Sequence, residues 1–420
     1  MQLELITIGT ELLLGHVLDG NSAWLGRRLA ERGLRVTRRV TVSDDHAAIR
    51  HALEEALERA GTVLCTGGLG PTSDDITREA AAAAFGLPLE ENAAALASVE
   101  ARFAALGRVM NPTNRIQALA PPGARVLANP RGTAPGLVLE DRAGRMAVLL
   151  PGVPEEMRGL MEDQVMALLE ARAGGARPPV RTRTVRTTGL AESEVGRRVD
   201  EVAAELAPLD VAYLPHAEGV DVRLTEWGTL AEAEALAALD TGEARVREVL
   251  GARVYGIDED DLAAVMGGVL EARGLTLAVA ESCTGGLLAQ RLTDRPGASA
   301  WFHAGFVTYD NRAKEQLLGV AHRLLAEHGA VSEPVAAAMA LGAVLRAHTD
   351  VGLSITGIAG PGGGSAEKPV GTVWLAAALG STVETRLVRL PGERAEVRRR
   401  AAQAALDLLR GVLTKTTAGV

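Results

Sequence analysis

Lysine is almost missing from this 420-residue chain: of its 44 basic residues only Lys314, Lys368 and Lys415 are lysine. Arginine holds its proton throughout the ordinary pH range, so a lysine kept inside a motif points to a nitrogen that must be able to lose one. Aromatic residues make up 3% of the chain and the net charge is −9. This leaves neither a basic footprint nor ring platforms for stacking bases, so no direct nucleic-acid partner is expected. The two cysteines, Cys65 and Cys283, cannot build a disulfide framework and leave no Cys/His cluster at metal-ligand spacing. Each reads as a small, reduced, buried residue. No apolar stretch approaches the roughly 20 residues that span a bilayer. Met1 runs directly into Leu3–Ile8 without a basic segment, so a cytoplasmic protein with no membrane partner is expected.

What the chain does contain is alternation. Strand-like runs at Leu3–Ile8, Arg35–Val42, Thr62–Thr66 and Met146–Leu150 are separated by amphipathic helical stretches, which predicts a mainly parallel sheet flanked by helices over residues 1–172. "AGGARPP" at 173–179 reads as a linker. The segment up to residue 255 predicts a small α+β module of strand, helix, strand and helix. From 256 to 420, strands at Thr276–Ala280, Ala304–Thr308, Val351–Ile355 and Thr372–Ala377 alternate with helices and predict a second α/β domain closed by a long helix from about Glu393. The fold class is therefore α/β: two three-layer α/β/α domains with mainly parallel sheets, joined by the small module.

In open α/β sheets, ligands bind beyond the carboxyl ends of the strands. The residues after the N-terminal strands include Glu11 in "GTELLLG", Asp44 and Asp45 in "SDD", Asp74 and Asp75 in "GGLGPTSDD", and Glu155 in "PGVPEEM". Gly67, Gly68 and Gly70 would let backbone N–H groups approach an anion, with Thr72 and Ser73 in the same loop. Carboxylates repel a phosphate unless a divalent cation lies between them, and Asp44, Asp75, Glu11 and Glu155 are the candidate ligands. For Asp44 or Glu155 taken alone, helix capping is the better reading; for "TGGLGPTSDD" with the further acidic positions at the same edge, a metal-assisted phosphate or pyrophosphate site is the better one. In "DGNSAWL", helix capping by Asn21 or Ser22 is the better reading.

The C-terminal domain carries "AVAESCTGGLLAQ", a strand, tight turn and helix start that sets Ser282, Cys283 and Thr284 side by side. Such a turn exposes a nucleophile and offers backbone donors, here from Thr284, Gly285 and Gly286, for an oxyanion. The histidines offer no base in an obvious loop. The scarce lysine does: "VTYDNRAKE" places Lys314 just after the next strand, with Tyr309 at the strand end. A third loop, "TGIAGPGGGS", follows Thr356 and contributes Gly357, Gly360 and Gly362 as candidate phosphate-binding positions. Arg394 and Arg398 on the last helix are candidate phosphate partners.

Together, "GTELLLG", "TGGLGPTSDDIT", "PGVPEEM", "AESCTGG", "YDNRAKE" and "TGIAGPGG" resemble the motifs of the two-domain competence/damage-inducible CinA family, in the same order along nearly the whole chain. The resemblance implies a molybdopterin-binding (MoaB/MogA-like) fold for residues 1–172, with ADP-ribose pyrophosphatase activity dependent on Mg²⁺, Mn²⁺ or Co²⁺. It implies a KH-like module for 173–255, where the absence of a G-x-x-G loop removes the reason to expect RNA binding. For 256–420 it implies a nicotinamide mononucleotide (NMN) amidohydrolase, or PncC, domain without a cofactor, in which Ser282 is the nucleophile, Lys314 its base, and Tyr309 and Thr356 support them. Partners are then NMN and ADP-ribose, and a homodimer is expected. The alternatives for the first domain are pterin or nucleotide binding alone, or adenylyl transfer to molybdopterin; for the whole chain, an interaction module in DNA uptake or repair.

Overall fold

The computed structural model describes residues 1–417. Two compact units result, one of residues 1–181 with 226–235, the other of residues 182–225 with those from 236 onward. Among the described residues, no helix is long and apolar enough to cross a membrane.

The first unit is built on strands β1 (Leu3–Ile8), β2 (Val36–Val42) and β3 (Thr62–Thr66), a minor pair β4 (Glu90–Glu91) and β5 (Leu119–Ala120), and strands β6 (Arg125–Leu127), β7 (Gly136–Glu140) and β8 (Met146–Leu150). The main sheet has the order β2-β1-β3-β8-β7-β6. The pairs among β2, β1, β3 and β8 are parallel, and β7 and β6 extend the sheet antiparallel. β1, β3 and β8 are buried along their whole length because helices cover both faces. Alternation divides their side chains: Leu3 and Leu5 pack with the helix Gly20–Ala30 and the segment 157–169 on one face, Ile6 and Ile8 with the helices His46–Ala60 and Thr77–Ala84 on the other.

The second unit holds two sheets. β9 (Arg181–Thr187), β10 (Asp210–His216), β11 (Gly219–Glu226) and β12 (Val254–Ile257) form the sheet of the middle module in the order β10-β11-β9-β12. β13 (Leu277–Glu281), β14 (Phe302–Val307), β15 (Val351–Gly357), β16 (Thr372–Leu379) and β17 (Thr382–Arg389) form the last sheet in the order β14-β13-β15-β16-β17. β14, β13 and β15 run parallel; β16 and β17 are antiparallel additions. One face of this sheet packs Val279, Leu353 and Leu375 against the helices Leu262–Ala272 and Arg394–Thr417. The other face carries alanines, Ala376 and Ala378, against Ala336 and Ala340 of the helix Glu333–Ala347, which therefore lies very close. At Gly352 of β15 any Cβ would collide with the Ala340 carbonyl oxygen. The main sheet of the first unit and the last sheet of the second thus have the expected α/β/α layering, with parallel strands extended by antiparallel ones at one edge.

Candidate functional site

In the last domain the strand expected at Thr276–Ala280 ends one residue later, so Glu281 is its final residue and Ser282 begins the turn. The Glu281 side chain is fully buried. Its Oε2 accepts from the N–H of Gly286 (3.1 Å) and Leu288 (3.0 Å), and Oε1 from that of Ala289 (2.8 Å). The helix Leu287–Thr293 has no side-chain cap from its N-cap residue Gly286, so this carboxylate takes over the task from within the preceding strand. The Ser282 N–H donates to Ile355 O of β15 (2.9 Å) and the Ser282 carbonyl accepts from Gly285 N–H (3.1 Å). These contacts fix the turn that carries the serine.

Lys314 lies on the helix Asn311–Leu318, whose N-cap Asp310 accepts from the Arg312 N–H at 2.7 Å. Its side chain is only 1% exposed. Nζ lies 3.2 Å from Ser282 Oγ and 2.8 Å from the Thr308 carbonyl oxygen. Burial holds the Lys314 ammonium below the usual lysine range, with the nearby Asp310 carboxylate opposing that shift more weakly. A neutral amine here can donate one N–H to Thr308 and offer its lone pair to the serine O–H. Cys283, by contrast, has a thiol pKa pushed up to about 11, chiefly by burial. At neutral pH it is a thiol and a poor nucleophile.

These groups open on a cavity of about 280 Å³, lined also by Tyr309, Thr356, Gly357, Gly360, Gly362 and Arg394. Arg394 donates to Tyr309 Oη (2.7 Å) and to Gly360 O (2.7 Å), tying the strand end, the glycine loop and the last helix together. Thr356 commits its hydroxyl proton to Ala330 O (2.8 Å). It therefore shapes the wall.

Three expected positions have other geometry. The N–H groups of Gly285 and Gly286 are consumed by Ser282 O and Glu281, so they are unavailable to an oxyanion. Among the described residues the amides of Cys283 and Thr284 donate to no other residue, and the buried Thr284 Oγ1 has no partner. Arg398 does not line the cavity but donates from Nε and Nη2 to Thr284 O, at 3.2 and 2.6 Å. It holds the turn from outside. Sequence reasoning passed over Asn311, which lines the cavity from inside the same "YDNRAKE" motif, and Glu281, whose only signal was a charged residue ending an apolar strand.

At the carboxyl edge of the first sheet, Gly67 and Gly68 have φ values of 115° and 66°. A Cβ on Gly67 would strike the Ile8 carbonyl oxygen. Thr77 Oγ1 donates to Gly67 O (2.9 Å), and Arg78, 1% exposed, donates to Leu69 O (2.7 Å) and Gly70 O (2.7 Å). The loop is held rigidly from below.

The four carboxylates expected to hold a metal do not converge. Asp44 Oδ2 accepts from Thr10 N–H (2.8 Å) and Thr10 Oγ1 (2.9 Å). Asp75 Oδ2 accepts from Thr72 N–H (2.9 Å) and its hydroxyl, within a turn that also contains Ser73. Glu155 lies in the first turn of the helix Pro154–Leu160. Glu11 lines a cavity of about 210 Å³ together with Thr66 and Asn21, in whose lining Asp44, Asp75 and Glu155 take no part. Among the described residues no group of three or more His, Cys, Asp or Glu side chains is arranged to hold an ion. A cage made from these carboxylates alone does not fit the geometry. Asn21 does not cap its helix; Asp19 does, accepting from Ser22 N–H at 2.9 Å. Asn21 Nδ2 instead donates to Gly152 O (2.8 Å) and Thr66 Oγ1 (3.3 Å), leaving Oδ1 buried without a partner.

Comparison with known families gives three consecutive matches. Residues 4–171 match the model described as "Probable molybdopterin binding domain", residues 182–256 the "Damage-inducible protein CinA KH domain" and residues 259–413 the "CinA C-terminal domain". A CinA-like protein of Gemmatimonas aurantiaca is 48% identical over 411 residues, 98% of this chain and 96% of that protein. One of Gloeobacter violaceus is 45% identical over 412 residues, 97% of this chain and 95% of that protein. Among solved structures, the competence/damage inducible protein CihA of Agrobacterium tumefaciens is 44% identical, covering 36% of this chain and 93% of its own, with a TM-score of 0.36.

Proposed function

The chain belongs to the CinA family, and from that premise we propose that its last domain hydrolyses the carboxamide of NMN to nicotinate mononucleotide and ammonia. The observation that carries the reading is the buried Lys314 amine 3.2 Å from Ser282 Oγ. Ser282 Oγ attacks the carboxamide carbon as its proton passes to neutral Lys314, giving a tetrahedral oxyanion. The free N–H groups of Cys283 and Thr284 are the donors for that oxyanion, and one such donor contributes roughly 3 kcal/mol in other enzymes. Lys314 then returns the proton to the departing nitrogen, the C–N bond breaks and ammonia leaves an acyl-enzyme ester. Water, deprotonated by the same lysine, cleaves the ester and restores the serine. Arg394 and the loop Gly357–Gly362 are the phosphate partners in this scheme, and no cofactor enters it.

The test is ammonia release from NMN by the full chain and by Ser282→Ala and Lys314→Arg. Both variants are expected to fall to background, because Arg keeps its proton. Retained activity in Ser282→Ala contradicts the reading.

For residues 4–171 the proposal is a nucleotide pocket at the carboxyl edge of β1, β3 and β8, with ADP-ribose as the substrate hydrolysed to AMP and ribose 5-phosphate. The cavity beside Glu11 and the unpartnered Asn21 Oδ1 support a ligand there. The proposal includes a requirement for a divalent ion. ADP-ribose turnover unaffected by excess EDTA removes that requirement. Assembly as a homodimer is proposed with it and is read by light scattering.

A further inference from the structure

A cleft in the second unit lies between the turn Thr188–Glu192, at the end of β9, and Arg400, Gln403, Ala404 and Asp407 of the helix Arg394–Thr417; its volume, about 670 Å³, is that of a small-molecule site. We infer that it binds a mononucleotide-sized phosphate ester, independently of the deamidase reading. Arg253, Arg386 and Arg400 line it. Arg386 Nη1 is committed to Asp407 Oδ2 at 2.9 Å, and Asp407 Oδ1 also accepts from Arg410 at 2.7 Å, so this carboxylate is already matched by two cations. Arg253 and Arg400 make no side-chain hydrogen bond or ion pair among the described residues, and Arg400 Nε is cut off from water without a partner.

The lining also contains acidic groups. Glu218 pairs with Arg291 at 3.9 Å, while Glu192, exposed in the lining, has no cation partner among the described residues. His216 Nε2 faces Asp221 at 3.2 Å. Two uncommitted guanidinium groups therefore face one uncommitted carboxylate at the edge. Their planar forks suit a phosphate. Leu190, Val388, Leu390 and Ala404 supply an apolar wall for the ring of a nucleoside. Arg398 serves the Ser282 turn, and Arg400, two residues on, lies about 200° round the helix. One helix thus sends arginines to two separate sites. The acidic balance of the chain and its scarcity of aromatics favour a mononucleotide over a polynucleotide.

AMP is the probe. Titration of the full chain by calorimetry, with 8-azido-AMP photolabelling mapped by peptide mass spectrometry, is expected to show binding and a label on peptides containing Leu390 or Ala404. Arg253→Ala/Arg400→Ala should weaken that binding at least about tenfold while ammonia release from NMN stays within about twofold. Arg400→Gln, with an unchanged circular dichroism spectrum, should weaken it in the same direction and covers the case in which the double variant misfolds. Absence of AMP binding at millimolar concentration, an affinity unchanged by either substitution, or a label confined to residues 1–171 or 282–314 overturns the proposal.

Discussion

At the scale of single residues, the proposed deamidation rests on a proton that Lys314 must be able to give up. Burial depresses its pKa and Asp310 partly restores it. In the proposed reaction the active form is the neutral amine, so ammonia release should rise with pH through an inflection below the usual lysine range. Asp310→Ser keeps a side chain able to cap the helix Asn311–Leu318 while removing the charge that favours the ammonium. Its pH–rate profile should therefore move to lower pH; a shift to higher pH would contradict the assignment of Lys314 as base. Substituting Cys283 by Ala removes a thiol that is protonated at neutral pH and should leave turnover within a few-fold, whereas Ser282→Ala should cost roughly 10²–10⁴-fold or more. The opposite ranking would make the cysteine the nucleophile.

At the scale of elements, Glu281 sets the geometry of the nucleophile turn. Its three accepted N–H bonds substitute for a helix cap, and bonds of that charge-assisted kind contribute about 1.5–3 kcal/mol each. Glu281→Gln retains one carbonyl acceptor and turns an amide donor toward N–H groups, so the unfolding transition of the last domain should move down, by roughly 2 kcal/mol. Denaturant titration monitored together with ammonia release checks this; an unmoved transition contradicts the capping role. Much of the architecture was legible because β1, β3 and β13 are apolar runs bounded by turn residues. The edge was less so. β17 (Thr382–Arg389) reads "TVETRLVR", a half-exposed strand whose polar face hides it, and the three-residue β6 gave too little periodicity to separate it from a loop. Within the site, the serine and lysine were legible from residue type and rarity. The use of Gly285 and Gly286 N–H groups was not, because their acceptors depend on where a buried carboxylate and a carbonyl fall after folding. The same applies to Asp44, whose oxygen is taken by Thr10, 34 residues away; Asp75 is taken by Thr72 three residues before it, a local turn pattern that spacing alone allows.

At the scale of the whole molecule, each α/β domain has its own core, so damage to one should spare the other's chemistry. Leu353, fully buried at the centre of the last sheet, is a suitable probe. Leu353→Ala should destabilise that domain by about 2–5 kcal/mol and lower the temperature at which ammonia release is lost. Turnover of ADP-ribose by the same preparation should keep its temperature profile; parallel loss of both would show that the two units unfold as one. The account as a whole stands on the pairing of a serine with a buried lysine. Its most direct measurement is the acyl-enzyme itself: intact-mass spectrometry of the full chain quenched during turnover of NMN, followed by peptide mapping. The predicted result is a nicotinoyl-mononucleotide adduct on Ser282 in the wild-type chain and none in Ser282→Ala. An adduct on Cys283, or ammonia release at the wild-type rate from Ser282→Ala, would contradict it.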